Sequence, residues 1–221
     1  MPAVAIREQF DSLLADWQAR PVPERVPTGI AEIDQATGGL PRGALTEICG
    51  PASSGRTTLL YSMLAQAAAR EEVCALVDAE DSFHPESAVA AGIRLDRLLW
   101  VRSGHNAEHA LKAADLLVQG GGFGLVAMDL GDTPPETARR ISLTSWFRLR
   151  RAVEHTPTVL VSLALRSNAK TCASLVVEMR RERAAWSGAL RTSRLLREIT
   201  VRASSELRSK VCSPVFTARA I

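Results

Sequence analysis

The sequence predicts an α/β fold: a mostly parallel sheet with helices on both faces and an antiparallel extension at its C-terminal end. Three observations predict it. Short apolar runs alternate with stretches of helical spacing from residue 44 to residue 165, the pattern of crossover units around a buried parallel sheet. A Gly/Ser-rich loop at 50–55 joins the first clear strand to a helix rich in Leu and Ala. Beyond residue 174, strand-like runs follow one another with no helix between them, which calls for antiparallel pairing.

The elements follow in order. Residues 3–19 place Ile6, Phe10, Leu13, Leu14 and Trp17 at helical spacing, an amphipathic helix that either docks a partner or packs on its own domain. Pro21, Pro23 and Pro27 then form a stiff connector. Strands are expected at 44–49, 73–77, 98–101, 125–128 and 159–165, and later at 174–179 and 198–203. Helices are expected at 56–70, 84–91 and 106–119, the last with Asn106 as its cap. One long basic helix is expected at 134–155, with Pro134 and Pro135 in its first turn.

Composition narrows the class. With 46% apolar and 23% charged residues in 221, the chain reads as globular, neither disordered nor collagen-like. No apolar run reaches the ~18 residues of a membrane span. The four cysteines stand singly, which argues against a disulfide framework or zinc site and for a cytoplasmic location. The net charge of +3 hides an asymmetry: residues 139–221 hold 17 Lys+Arg and 5 Asp+Glu, and the first 138 hold 10 and 19. Apart from Lys112, Lys170 and Lys210 the basic residues are arginine, whose planar fork suits phosphate. The basic half is expected to meet a polyanion or an acidic partner.

The sharpest local signal is Gly50-Pro51-Ala52-Ser53-Ser54-Gly55-Arg56-Thr57-Thr58. It fits the spacing G-x-x-x-x-G-K-[ST] with arginine in place of lysine. Gly50, Ser53, Ser54, Gly55, Arg56, Thr57 and Thr58 are therefore candidate nucleotide-binding residues: the curled backbone turns N–H groups toward a phosphate at a helix N-terminus. Thr57 offers a hydroxyl for Mg²⁺. Arg56 keeps the charge of lysine but is longer and planar, so it either grips ATP with poor transition-state stabilisation or belongs to a structural relic. Two acids complete the set. Glu80 follows the strand ending in Val77-Asp78 and is the candidate catalytic residue that orients water. Asp129 ends the run Leu125-Val126-Ala127-Met128 and is the second candidate metal residue. Either acid alone reads better as a helix cap or a surface carboxylate; together with the loop both read as facing the site.

The segments Pro27-Thr28-Gly29-Ile30, Gly38-Gly39-Leu40-Pro41-Arg42-Gly43, Glu47-Ile48-Cys49-Gly50-Pro51 and Val77-Asp78-Ala79-Glu80 resemble the RecA recombinase family over residues 27–130. The resemblance implies a RecA-like phosphate-loop core at 27–165, preceded by a helix and linker at 1–26 and followed by basic strands and a tail at 166–221. It also implies ATP and Mg²⁺ as cofactors, weakly held or absent given Arg56. His105 and Asn106 sit where that family's strand-to-helix loop approaches adenine. The departures are specific. Only residues 130–136 lie between Asp129 and the next helix, where the family has its first DNA loop. Ala164 stands near the family's phosphate-sensing glutamine, and 167–170 is all that replaces the second loop.

A shortened core, an altered phosphate loop and an Arg-rich tail are similar to the ImuA group of accessory proteins in bacterial SOS mutagenesis. Thr137 to Arg151 and Glu178-Met179-Arg180-Arg181 carry that likeness. It implies partners: an ImuB-like protein, an error-prone polymerase, or RecA. Single-stranded DNA is a further expected partner, through Arg180, Arg181, Arg183, Arg191 and Arg194 around Trp186, which would line a backbone and stack a base. A solvated basic face is the plainer alternative. Self-association through residues 3–19 is a further expectation. Three functions compete: an accessory interaction protein with little turnover, an active DNA-dependent ATPase of the RecA type, and a small-molecule phosphate-loop kinase. The RecA-like lead-in disfavours the last.

Overall fold

In a computed structural model the chain is described over residues 23–187, 195–207 and 210–219. The amphipathic segment 3–19 and the candidates Arg191 and Arg194 lie outside these residues. The strands are β1 (Arg25–Val26), β2 (Leu40–Pro41), β3 (Ala44–Cys49), β4 (Cys74–Asp78), β5 (Leu98–Arg102), β6 (Leu125–Leu130), β7 (Val159–Ala164), β8 (Leu175–Ser187), β9 (Leu195–Leu207), β10 (Lys210–Cys212) and β11 (Val215–Arg219). The helices are α1 (Ala31–Thr37), α2 (Arg56–Ala69), α3 (Pro85–Ala90), α4 (Ala107–Gly120), α5 (Pro135–Ala138) and α6 (Leu143–Val153).

The main sheet runs β5-β4-β6-β7-β3-β8-β9-β10, with β11 also beside β9. From β5 to β8 every pairing is parallel, and β9 is antiparallel to β8, β10 and β11. The expected α/β class with an antiparallel C-terminal extension is what the chain adopts. The sheet continues without interruption across position 165, because β8 pairs with β3 at Thr46↔Leu175 through Cys49↔Glu178.

Side chains alternate across each strand, so each strand feeds two cores. One face gathers Ile48, Leu76 and Leu163 with α2 residues Leu59, Leu60 and Leu64, and with Met179, Val201 and Phe216 from the extension. The other gathers Leu45, Val77 and Leu160 with α4 residues Ala110 and Ala114 and with Trp146, Leu149 and Val153 of α6. Burying each large apolar side chain of α6 contributes ~1.5–3 kcal/mol, which holds this Arg-rich helix to the sheet.

The expected helix at 134–155 is two helices. α5 ends at Ala138, and α6 starts after Ser142, whose Oγ accepts from the Ser145 N–H at 3.1 Å. Ile141 and Trp146 flank that cap and both are buried in the same core, the placement of a hydrophobic staple. Restarting the helix lets Trp146 face the sheet. The expected short strands at 174–179 and 198–203 are parts of 13-residue strands, because pairing with each other carries β8 and β9 well past the end of β3. Among the described residues no helix is long and apolar enough to cross a membrane.

Candidate functional site

β3 delivers the chain to the phosphate loop at the top of the sheet. The Gly50 N–H donates to Ala164 O at 3.2 Å, and Ser54 N–H to Pro51 O at 3.2 Å. Ser53 and Gly55 take left-handed backbone angles, φ 57° and 91°. At Gly55 this is the N-cap of α2, which no side chain caps, so the helix opens onto the curl of the loop. The loop is also clamped from behind. A Cβ added at Gly50 would collide with the Met179 carbonyl, and one at Gly55 would come within 3.0 Å of Val201 Cγ2. Gly50 is thus required by packing against the β8–β9 ribbon, and Gly55 by its left-handed backbone beside Val201, whatever the loop binds. Ser54 is buried, and its Oγ has no hydrogen-bond partner.

Of the seven loop candidates, Ser53, Thr57 and Thr58 are exposed, and Gly50, Ser54, Gly55 and Arg56 are buried. Thr57, Arg56 and Asp129 line one cavity of about 100 Å³ together with Tyr61, Phe83 and Asp132. Arg56 is 7% exposed. Its Nη1 donates to Gly131 O at 2.8 Å, and its Nη2 lies 3.8 Å from Asp132 Oδ1. The guanidinium is therefore turned across to the segment after β6. Asp129 Oδ1 accepts the Gly131 N–H at 2.7 Å. Burial pushes the Asp129 carboxyl up to about 6; the Gly131 N–H and Arg56 oppose this, and Asp78 and Asp132 add to it.

Glu80 is not among the residues lining this cavity. Its Oε1 accepts from Thr133 Oγ1 at 2.8 Å, and its Oε2 lies 2.9 Å from His105 Nδ1. The hydrogen bond to Glu80 raises the His105 pKa above its ordinary value. Asn106 caps α4, its Oδ1 accepting from the Glu108 and His109 N–H groups, which accounts for that residue without a ligand.

Two buried acids organise the site, and sequence reasoning gave neither that role. Asp78 accepts from the N–H groups of Glu80, Ser82 and Phe83 and from Trp100 Nε1, at 3.0–3.3 Å. It shapes the turn that presents Glu80. Glu47, in the middle of β3, is fully buried and accepts from Ser167 Oγ, Asn168 N–H and Ala169 N–H at 2.5–2.9 Å. A buried carboxylate is tolerable only when so satisfied, so Glu47 fixes the short segment after β7. A charged residue inside the apolar run ALTEIC was the available signal.

Arg180, Arg181, Arg183 and Trp186 all lie on β8 and are exposed, Trp186 at 54%. Arg180 is the Cα partner of Arg202 across the ribbon, and the two line a cleft of about 540 Å³ with Arg166, Gly50 and Pro51. Like charges directly opposite destabilise a sheet; here Arg202 is answered by Glu182 at 2.5 Å. The structure therefore brings Arg56, Thr57 and Asp129 together, holds Glu80 on other partners, and sets Arg180 beside the start of the loop, with Arg181, Arg183 and Trp186 further along β8.

A family model described as the RecA N-terminal domain matches residues 13–133. The chain is similar to Protein RecA of Cutibacterium acnes, 44% identical over 106 residues that cover 47% of this chain and 30% of that protein. It is also similar to Protein RecA of Methylococcus capsulatus, 46% identical over 106 residues, again 47% of this chain and 30% of that one. Protein RecA of Chloroflexus aurantiacus is 32% identical over 164 residues, 67% of this chain and 46% of the relative. The matched stretch thus spans between about a third and about a half of these relatives' length, and over half of this sequence falls within the one family model: the chain belongs to the RecA family.

Proposed function

We propose that this chain is a RecA-like accessory protein of DNA repair, of the ImuA kind, that acts in SOS-induced translesion mutagenesis through protein and DNA contacts with weakened or absent ATP hydrolysis. The observation that carries this reading is the course of Arg56. In a working phosphate loop the basic residue is a compact charge aimed at the β- and γ-phosphates. Here the guanidinium is 7% exposed and bound to Gly131 O. Glu80, the acid expected to orient water, is engaged by Thr133 and His105. In this reading Gly50, Ser53, Ser54, Gly55, Thr57 and Thr58 form a scaffold that holds nucleotide weakly or not at all, and the protein works in the cytoplasm. The segment 3–19 mediates association with itself or with an ImuB-like protein, an error-prone polymerase or RecA.

DNA contact falls to the exposed arginines of β8 and its continuation, Arg180, Arg181, Arg183, Arg191 and Arg194, with Trp186 as the stacking surface. Residues 1–26 serve as a docking arm, 27–165 as the core and 166–221 as the polyanion-binding extension. One observation favours a second reading, an active DNA-dependent ATPase of the RecA type: Thr57 and Asp129 still line one cavity. ATP turnover with and without single-stranded DNA separates the two. Little turnover in the wild type, with a gain of tenfold or more in Arg56→Lys, is expected. Brisk turnover in the wild type with no gain in the variant sinks the proposal.

A further inference from the structure

RecA-like sites are expected to take Mg²⁺ between the loop hydroxyl, here Thr57, and the acid that ends the magnesium strand, here Asp129. The residues around them do not fit a divalent ion. Mg²⁺ needs near-octahedral oxygen ligands and dehydrates reluctantly. One Asp129 oxygen already accepts the Gly131 N–H at 2.7 Å. The Arg56 guanidinium takes the neighbouring carbonyl, Gly131 O, at 2.8 Å and approaches Asp132 Oδ1 at 3.8 Å. A Cβ built on Gly131 would lie 2.8 Å from Asp129 Oδ1 and 3.0 Å from Arg56 Nη1, so carboxylate and guanidinium flank the same glycine. Thr57, Arg56, Asp129 and Asp132 also line the same cavity of about 100 Å³. A fixed positive charge in so confined a space repels a second cation strongly, because little water screens it.

We infer that the Arg56 guanidinium is the resident cation of this site, standing where Mg²⁺ would stand and excluding it. The inference deepens the reading of a site without turnover, and it explains why arginine differs from lysine here. Lysine is a point charge that can reach outward to phosphate. The arginine fork spans two acceptors at once, and both lie on the segment after β6.

The test uses Mn²⁺ as the metal probe, followed by electron paramagnetic resonance on the full chain without nucleotide. The wild type is expected to leave the free-ion signal intact. Arg56→Ala is expected to bind Mn²⁺ at least tenfold more tightly, and Asp129→Asn in that background should abolish the gain. Arg56→Lys is expected to move in the same direction, and it covers the case in which the alanine variant does not fold. Mn²⁺ uptake by the wild type that depends on Asp129, or no gain in either variant, overturns the inference. The two proposals fail separately: Mn²⁺ uptake without ATP turnover removes this one alone, whereas brisk turnover removes the reading of the preceding subsection.

Discussion

The loop half of the molecule and the ribbon half handle charge in opposite ways. Around the phosphate loop the charged groups are turned inward. Asp78 and Glu47 are buried with full sets of donors, and Arg56 is 7% exposed against Gly131 O. On the β8–β9 ribbon Arg180, Arg181, Arg183 and Arg202 are exposed, and Arg180 sits opposite Arg202. Inward charges bonded to backbone organise a shape. Outward charges in which arginine outnumbers acid, as here with Glu178 and Glu182 between them, attract something outside it. The halves meet where Met179 and Val201 press on Gly50 and Gly55, so the ribbon is both the back wall of the loop and a candidate contact surface.

The sharpest way to break this picture is at the junction. Gly50→Ala forces a methyl against the Met179 carbonyl, and a cost of about 3 kcal/mol is expected, read as a lower midpoint in urea unfolding. An unchanged midpoint would mean that the ribbon does not clamp the loop. Next comes Asp129. Its folded-state carboxyl is pushed up to about 6, above the unfolded value of about 3.9. The folded state then binds the proton more tightly, so stability falls as pH rises from about 4 to about 6. Asp129→Asn should remove that slope and raise stability at pH 8 by about 2 kcal/mol, with little change at pH 4. An equal effect at both pH values would refute burial as the cause.

A smaller effect is expected at Ser142, the cap that restarts the helix: Ser142→Ala should cost about 1 kcal/mol in the same unfolding assay. On the ribbon side, Arg180→Ala should weaken retention on single-stranded DNA and reduce the salt slope by roughly one phosphate contact. An unaltered slope would move the polyanion site elsewhere. The smallest effect is local. The His105 titration followed by NMR should lie above the ordinary histidine value in the wild type and move down toward it in Glu80→Gln.

Legibility in the sequence followed the same division. Strand β3 was read at 44–49 and stands at Ala44–Cys49, because an apolar run cut off by Gly50 leaves little freedom. The Asn106 cap was equally plain, since its side chain acts on the next three residues alone. The helix break at Ser142 was hidden because no Gly or Pro marks it; the signal was a serine before Leu143, with Ile141 and Trp146 placed to be buried. The length of β8 was hidden for another reason. Arginine carries little strand preference, and the alternation of buried Val177 and Met179 with exposed Glu178 and Arg180 becomes informative only once a partner strand is known. The candidate site was legible as residue types, but the direction of Arg56 and the partners of Glu80 depend on Gly131, Thr133 and His105, which come from distant parts of the chain.

Gly50 and Gly55 fit against a neighbouring carbonyl and a valine methyl, whereas the side chain at 56 sends its hydrogen bond and its ion pair to the segment after β6. A larger side chain at 50 would run into backbone, and one at 55 would strain a left-handed backbone beside Val201, whereas residue 56 reaches the loop's surroundings through its side chain alone. The outline of the loop thus reports how the main chain is packed from behind, and by itself it is no measure of chemistry in front.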